Sequence, residues 1–213
     1  MVIKEVTCKN ILTRVTGYLK LVASHSVNPY IGCGFGRTAC GVGCYVQHNY
    51  WLTKGRKWGH FIDVKMNAAS SYRKNRGREK NWTIKNDQRF FLFCSSSTDP
   101  WQPVESKYRI TRQLLDVFIE MPPDGIIFQT HSDKIREDLE RLVELAQQCD
   151  LRVQLSIEGD LNRLPGLPLP PCSVEERLRL VEDFSRAGIC VIACLAPLFP
   201  LEDPHLFFSR LAN

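Results

Sequence analysis

The chain has 213 residues, 44% hydrophobic and 24% charged, with a formal charge of +5. These are the proportions of one folded domain with a real core, not of a disordered or collagen-like chain. The longest apolar run, residues 189–201, is broken by Pro197 and Pro200 and is too short to span a bilayer. Glu5 and Lys9 interrupt the stretch where a signal peptide needs a continuous apolar core, so a soluble, cytoplasmic protein with no membrane association is expected. Nine cysteines, an odd number without an export signal, make poor disulfide material and better metal or cluster ligands.

The first informative segment is Asn28-Pro29-Tyr30-Ile31-Gly32-Cys33, which runs on to Cys40 and Cys44 in a C-x6-C-x3-C loop. Glycines at 34, 36, 41 and 43 are expected to supply positive φ and close backbone approach, so that three thiolates can converge. A four-iron, four-sulfur cluster held by three cysteines leaves one iron open to a small chelating molecule. His48, four residues after Cys44, offers a Cys3His zinc site instead. Three unliganded thiols are the third reading, and spacing does not choose among them.

Residues 54–89 carry eleven Lys or Arg against three acids, while the remainder of the chain is slightly acidic. With Trp58, Tyr72 and Trp82 interleaved, the segment could follow a nucleic-acid backbone and stack on bases. The favoured reading is a solvated basic connecting segment.

From residue 90 onward the pattern is regular. Residues 90–97 read as a buried strand ending in Thr98-Asp99-Pro100, and residues 106–119 as a helix stopped by Pro122-Pro123. A strand over 125–130, a helix over 134–148 and a strand over 152–157 follow. A Pro-rich loop over 164–171 then leads to a helix opened by a Ser173/Glu176 capping box, and Gly188 precedes a strand over 189–196. Strand centres about 27 to 37 residues apart are the spacing of βα units in a parallel sheet. Each strand ends in polar or special residues, which favours an α/β barrel with its chemistry at the C-terminal strand ends. No glycine-rich dinucleotide fingerprint is present. Cys94, Cys190 and Cys194 read as small buried hydrophobes within strands; Glu158 and Asp160 read either as a polar pair near the site or, as is usual for loop carboxylates, as solvated.

The runs NPYIGC, KWGHFIDVKMNA, STDPWQPVESKYRITRQLL and AGICVIACLAPLFP, in this order over residues 23–205, resemble the spore photoproduct lyase-like branch of the radical S-adenosylmethionine superfamily. The resemblance implies a partial (β/α) barrel, with about five βα units present in one core domain over 1–213, and raises the cluster above zinc. It implies a 4Fe-4S cluster on Cys33, Cys40 and Cys44, and S-adenosyl-L-methionine held near Tyr45, Ser97, Thr98, Asp99, His131, Ser156 and Pro197. A reducing partner such as flavodoxin or ferredoxin would supply the electron.

The chain departs from that pattern in four places. The relatives' loop is C-x3-C-x2-C with an aromatic between the last two cysteines, whereas here both gaps are longer and Val42 stands between glycines. Where the relatives carry a lysine that reaches the methionine carboxylate, this chain has His131, and a histidine side chain is shorter and fully charged only on the acid side of neutrality. The sixth strand has no sequence before Asn213, so residues 189–198 are expected to form an apolar edge, either because the chain is a shortened piece or because a partner or second chain covers it. Ser96 stands where the lyase carries its hydrogen-donating cysteine, so that particular activity is not implied. The second reading is a catalytically degenerate metal-binding barrel that binds nucleic acid or a protein.

Overall fold

Strands with two buried faces read as continuous apolar runs, and β7 (Gly125–Thr130) is such a run at the middle of the larger of two sheets. The computed structural model describes residues 1–212. The other strands are β1 (Val2–Val6), β2 (Leu12–Arg14), β3 (His25–Val27), β4 (Tyr30–Ile31), β5 (Phe61–Lys65), β6 (Phe91–Cys94), β8 (Asp150–Ser156) and β9 (Cys190–Cys194). The helices are α1 (Ala39–Val42), α2 (Tyr50–Thr53), α3 (Ala68–Lys85), α4 (Glu105–Tyr108), α5 (Ile110–Glu120), α6 (Leu139–Ala146), α7 (Val174–Arg186) and α8 (Pro204–Ala212).

The six-stranded sheet has the order β2-β3-β6-β7-β8-β9. β3, β6, β7, β8 and β9 are mutually parallel, and β2 runs antiparallel to β3. A helix follows each parallel strand, so five βα units are present. A smaller sheet, β1-β5-β4, joins the N-terminal strand to the two strands of the first crossover. β9 is an edge, bonded on one side to β8.

Alternation along the strands divides the environment. Leu92, Ile126, Phe128, Val153 and Leu155 join the main core with Leu114, Phe118, Leu142 and Leu145 of the helices. The opposite, inward face begins with Phe91, Phe93 and Ile127. It turns polar toward the C-terminal strand ends, where Gln129 approaches Ser156 and Cys194.

Three sequence expectations are corrected. Residues 54–89 are not a loose solvated stretch: they hold Lys54, which caps α2, then β5 and the 18-residue α3. The inner face of α3 joins Ala68 and Tyr72 to Ser71, Asn75, Glu79 and Thr83, so most of it is a polar stripe that hydrophobic periodicity does not register. Many of the segment's basic groups are spent on internal bonds. Arg73 pairs with Glu120 and Lys80 with Asp124, Arg76 donates to the carbonyls of Met121 and Pro122, and Arg89 to that of Asp124.

The helix expected over 106–119 breaks at Arg109, whose φ of 54° is left-handed. The break lets the buried Glu105 carboxylate accept the amides of Thr111 and Arg112, both at 3.1 Å, and so cap α5. The helix expected over 134–148 opens as a 3-10 turn, Asp133–Asp138, and becomes α-helical only at Leu139. There, buried Asp138 accepts from the Trp101 indole at 2.9 Å and from Arg112 at 2.6 Å.

Glu79 accepts from Arg14 at 2.9 Å, Asn10 at 3.2 Å and Arg78, and faces His25 at 3.3 Å. Glu79→Ala leaves the buried His25 ring without its carboxylate partner, while the half-exposed Arg14 and Arg78 can turn to water, and is expected to cost about 1–3 kcal/mol. Arg73→Ala, in an exposed pair, is expected to cost less than about 1 kcal/mol. Urea unfolding checks the contrast, and similar costs for both would contradict α3's role as a polar-faced core helix.

Candidate active site

The cysteine loop has little regular structure of its own, so neighbouring segments must hold it. Asn28 starts the clamp: its Oδ1 accepts the Ser97 amide at 3.0 Å and its carbonyl accepts Lys65 Nζ at 2.7 Å. The buried Tyr30 hydroxyl donates to Glu105. Gly32 has φ +90°, and a Cβ there would lie 2.3 Å from the Phe61 carbonyl oxygen, so only glycine fits. Its carbonyl accepts the Thr98 hydroxyl at 2.7 Å, and the next glycine amide, Gly34, donates to Gln102 Oε1 at 2.6 Å. Positive φ is not found at Gly34, Gly36, Gly41 or Gly43. What Gly36 and Gly41 supply is proximity: a Cβ on Gly41 would stand 2.3 Å from the Gly36 carbonyl carbon.

Cys33, Cys40 and Cys44 line one cavity of about 600 Å³ at the C-terminal ends of β6 to β9. Tyr45, Ser97, Thr98, Asp99 and His131 line it too, and Gln129, Gln154, Cys194 and Ala196 form its inner side. Burial pushes the Cys33 thiol up to about 12, with the Asp99 charge adding. Burial also pushes Cys40 upward, reinforced by Cys33 and Asp99, and it pushes Cys44 upward. Without a cation these are neutral thiols.

Behind the thiols lies a buried polar network. Asp99 accepts the Thr130 hydroxyl at 2.8 Å, the His131 amide at 2.8 Å and the Trp101 amide at 2.9 Å. Burial raises its pKa against the opposing pull of His131. The imidazole of His131 spans from Cys40 Sγ, 3.7 Å from Nδ1, to Glu158, 2.7 Å from Nε2. Glu158 also binds Arg177 Nη1 at 2.7 Å, and the same nitrogen donates to the Ser156 carbonyl at 2.7 Å. Burial alone would raise the Glu158 pKa. The hydrogen bond and charge of His131, then those of Arg177, outweigh it and leave the carboxyl at about 2.

The positions expected from sequence are thus distributed unevenly. Thr98 and Asp99 reach the cavity, but their polar atoms are engaged in the clamp and network. Tyr45 donates its hydroxyl to the Ser96 carbonyl and leaves its ring exposed at the cavity wall. Ser156 is buried on the inward face, 3.4 Å from Gln129 Nε2. Pro197 is exposed and lies off the lining, where Ala196 stands instead. Glu158 is not a solvated loop carboxylate: it is 8% exposed, because Arg177 and His131 enclose it. Asp160 accepts the amides of Glu202 and Asp203 at 3.0 and 2.8 Å and so supports the turn into α8. Cys94 is buried as expected, whereas Cys190 is exposed on the edge strand and Cys194 faces the cavity. Arg177 carried a signal that sequence reasoning missed: it occupies an apolar-stripe position of α7, between Val174 and Leu178.

The donor set discriminates between metal groups. Among the described residues, no three Cys, His, Asp or Glu are gathered as ligands of a single metal ion. Tetrahedral zinc at a 2.3 Å bond length would bring thiolates within about 3.8 Å of one another. His48 is exposed and outside the cavity lining, so Cys3His zinc does not fit. Three thiols lining one cavity are the donor set of a larger group, a cube that would take each thiolate at a different corner.

The depressed Glu158 pKa stabilises the fold at every pH above the ordinary carboxyl value of 4.5, and that contribution is lost as pH falls toward 2. Glu158→Gln is therefore expected to cost about 3 kcal/mol at neutral pH. Unfolding curves of the two proteins should converge below pH about 4.5, and a difference independent of pH would contradict the network.

Comparison with protein-family models finds no match. An uncharacterized protein of Methanocaldococcus jannaschii is 28% identical over 182 residues, which span 84% of this chain and 61% of that protein. Among solved structures, a cysteine-to-alanine mutant of spore photoproduct lyase with dinucleoside spore photoproduct superposes with a TM-score of 0.70 at 13% identity, covering 98% of this chain and 56% of that one. The same mutant without the dinucleoside gives 0.68 at 14% identity, covering 99% and 56%. The chain thus spans little more than half the length of these solved proteins, and what it shares with them is a fold: a parallel sheet with flanking helices, similar to that of spore photoproduct lyase.

Proposed function

We propose that the chain is a radical S-adenosylmethionine enzyme, with Cys33, Cys40 and Cys44 holding a 4Fe-4S cluster. The observation that carries this reading is the convergence of these three thiols on one cavity with His131 and the turn Ser97, Thr98, Asp99. When bound, the cluster and S-adenosyl-L-methionine supply reductive cleavage to methionine and a 5′-deoxyadenosyl radical that takes hydrogen from substrate.

The chain's own residues position and shield. Gly32, Thr98 and Gln102 fix the loop that presents the thiols. Asp99 shapes the β6 and β7 loop ends through three accepted bonds. His131 is the polar side chain beside Cys40 that stands where relatives place a lysine for the methionine carboxylate, and Glu158 holds it from behind. Tyr45 and Ser97 wall the cofactor side, with Ser156 and Pro197 further along the strand ends. Gln129 and Gln154 face the space left for substrate. The electron comes from an external donor of the flavodoxin or ferredoxin class.

Anaerobic reconstitution with iron and sulfide is expected to give a brown protein with four of each per chain. Cys33→Ala, Cys40→Ala and Cys44→Ala are expected to abolish uptake, and Cys194→Ala to leave it intact. Adding cofactor and dithionite should release 5′-deoxyadenosine. A colourless protein holding one tight zinc would overturn the reading. Because burial keeps the thiols protonated, loading should release protons and weaken as pH falls, which an indicator dye in weak buffer measures.

A further inference from the structure

Trp58 belongs to none of the positions assigned above, yet it lines the cysteine cavity. Its side chain is 8% exposed, and among the described residues its indole N–H has no hydrogen-bond partner. A buried donor left without an acceptor costs about 1–3 kcal/mol and is rare in folded proteins. The surroundings indicate what is missing. Trp58 packs in a small cluster with Cys33, Phe35, Val46 and Phe61, and Cys44 lies against that cluster. Its Cδ1, the carbon bonded to the indole nitrogen, would stand 2.9 Å from a Cβ on Gly36, within the arc between Cys33 and Cys40. The nitrogen-bearing edge of the ring therefore packs against the Gly36 backbone of the cysteine loop.

The ring is also held in place. It meets Phe61 edge-on at 6.2 Å. Phe61 is covered in turn by Arg56 at 3.7 Å, whose guanidinium makes two bonds of 2.8 and 2.9 Å to Asp63. Sulfur is the acceptor chemistry that this pocket offers. A neutral thiol accepts weakly, whereas a thiolate or inorganic sulfide makes a charge-assisted bond. Resting on the reading of Cys33, Cys40 and Cys44 as cluster ligands, we propose that the Trp58 N–H donates a hydrogen bond to the sulfur of a cysteine packed against it, Cys33 or Cys44, once that sulfur is held as a thiolate by the iron–sulfur centre. Such a bond favours the reduced, more negative state of the cluster, so Trp58 raises its potential toward the reach of the external donor. Trp58 is thus a tuning residue packed against Cys33 and Cys44, whereas His131 stands beside Cys40.

The test compares reconstituted wild type with Trp58→Phe and with a protein carrying 3-benzothienylalanine at position 58, which keeps the shape of tryptophan without its N–H. The midpoint potential is read by EPR-monitored titration, and exchangeable protons near the cluster by ENDOR in H2O and D2O. The expected result is unchanged iron content, a more negative potential in both variants, and loss of one exchangeable proton coupling. Equal potentials at equal iron content, or no such coupling in the wild type, would show that the N–H is met by an ordered water only and would overturn the proposal. That failure leaves iron uptake and cofactor cleavage intact. A wild type that takes up no iron defeats the cluster reading itself, and the role of Trp58 with it.

Discussion

Three thiols from a loop of little regular structure face one cavity only because the two segments flanking them in space are bonded to that loop atom by atom. The Thr98 hydroxyl on the Gly32 carbonyl, Gln102 on the Gly34 amide, and the Tyr30–Glu105 pair carry this constraint. Each partner has a second attachment. Thr98 also accepts from Gln102 at 3.0 Å, Glu105 caps α5, and Lys65 on β5 fastens Asn28. The runs NPYIGC, KWGHFIDVK and STDPWQPVE, distant in sequence, thus form one clamp. The lack of room for a side chain at Gly32, Gly36 and Gly41 allows the backbones to approach within that clamp.

Beneath the clamp, buried charge is tolerated because it is shared. Asp99, His131, Glu158 and Arg177 form a chain in which each carboxylate meets a cation or several donors, as desolvated ions require, while the buried Nε of Arg177 is left without a partner among the described residues. The consequence for chemistry is a division of labour. The acidic groups of the network organise the strand ends, while His131, Gln129 and Gln154 remain facing the cavity. Thiols kept neutral by burial can serve as ligands only where a cation displaces their protons.

The later half of the fold was legible because its local signals agree with its packing. The strand over 125–130, the Ser173/Glu176 capping box and Gly188 with φ +80° all appear as the sequence pattern implies. The first half was not. β1 to β5 are short and sit among turns, and α3 buries serine, asparagine, glutamate and threonine, which carry no apolar period. The cysteines were legible by type and spacing. Their polar support was not, because nothing local tells a buried Glu158 from a solvated one. Trp58 stood within a quoted motif, but the unpaired state of its N–H is a property of three-dimensional packing alone.

The account's central claim is that the cavity's three thiols leave one corner of an iron–sulfur cube for an exogenous ligand. Mössbauer spectra of protein reconstituted with iron-57, taken before and after adding S-adenosyl-L-methionine, address it most directly. The account predicts one quarter of the iron with distinct parameters that shift on addition, the other three quarters staying unchanged. Four equivalent irons indifferent to the cofactor, or no cluster iron at all, would contradict it.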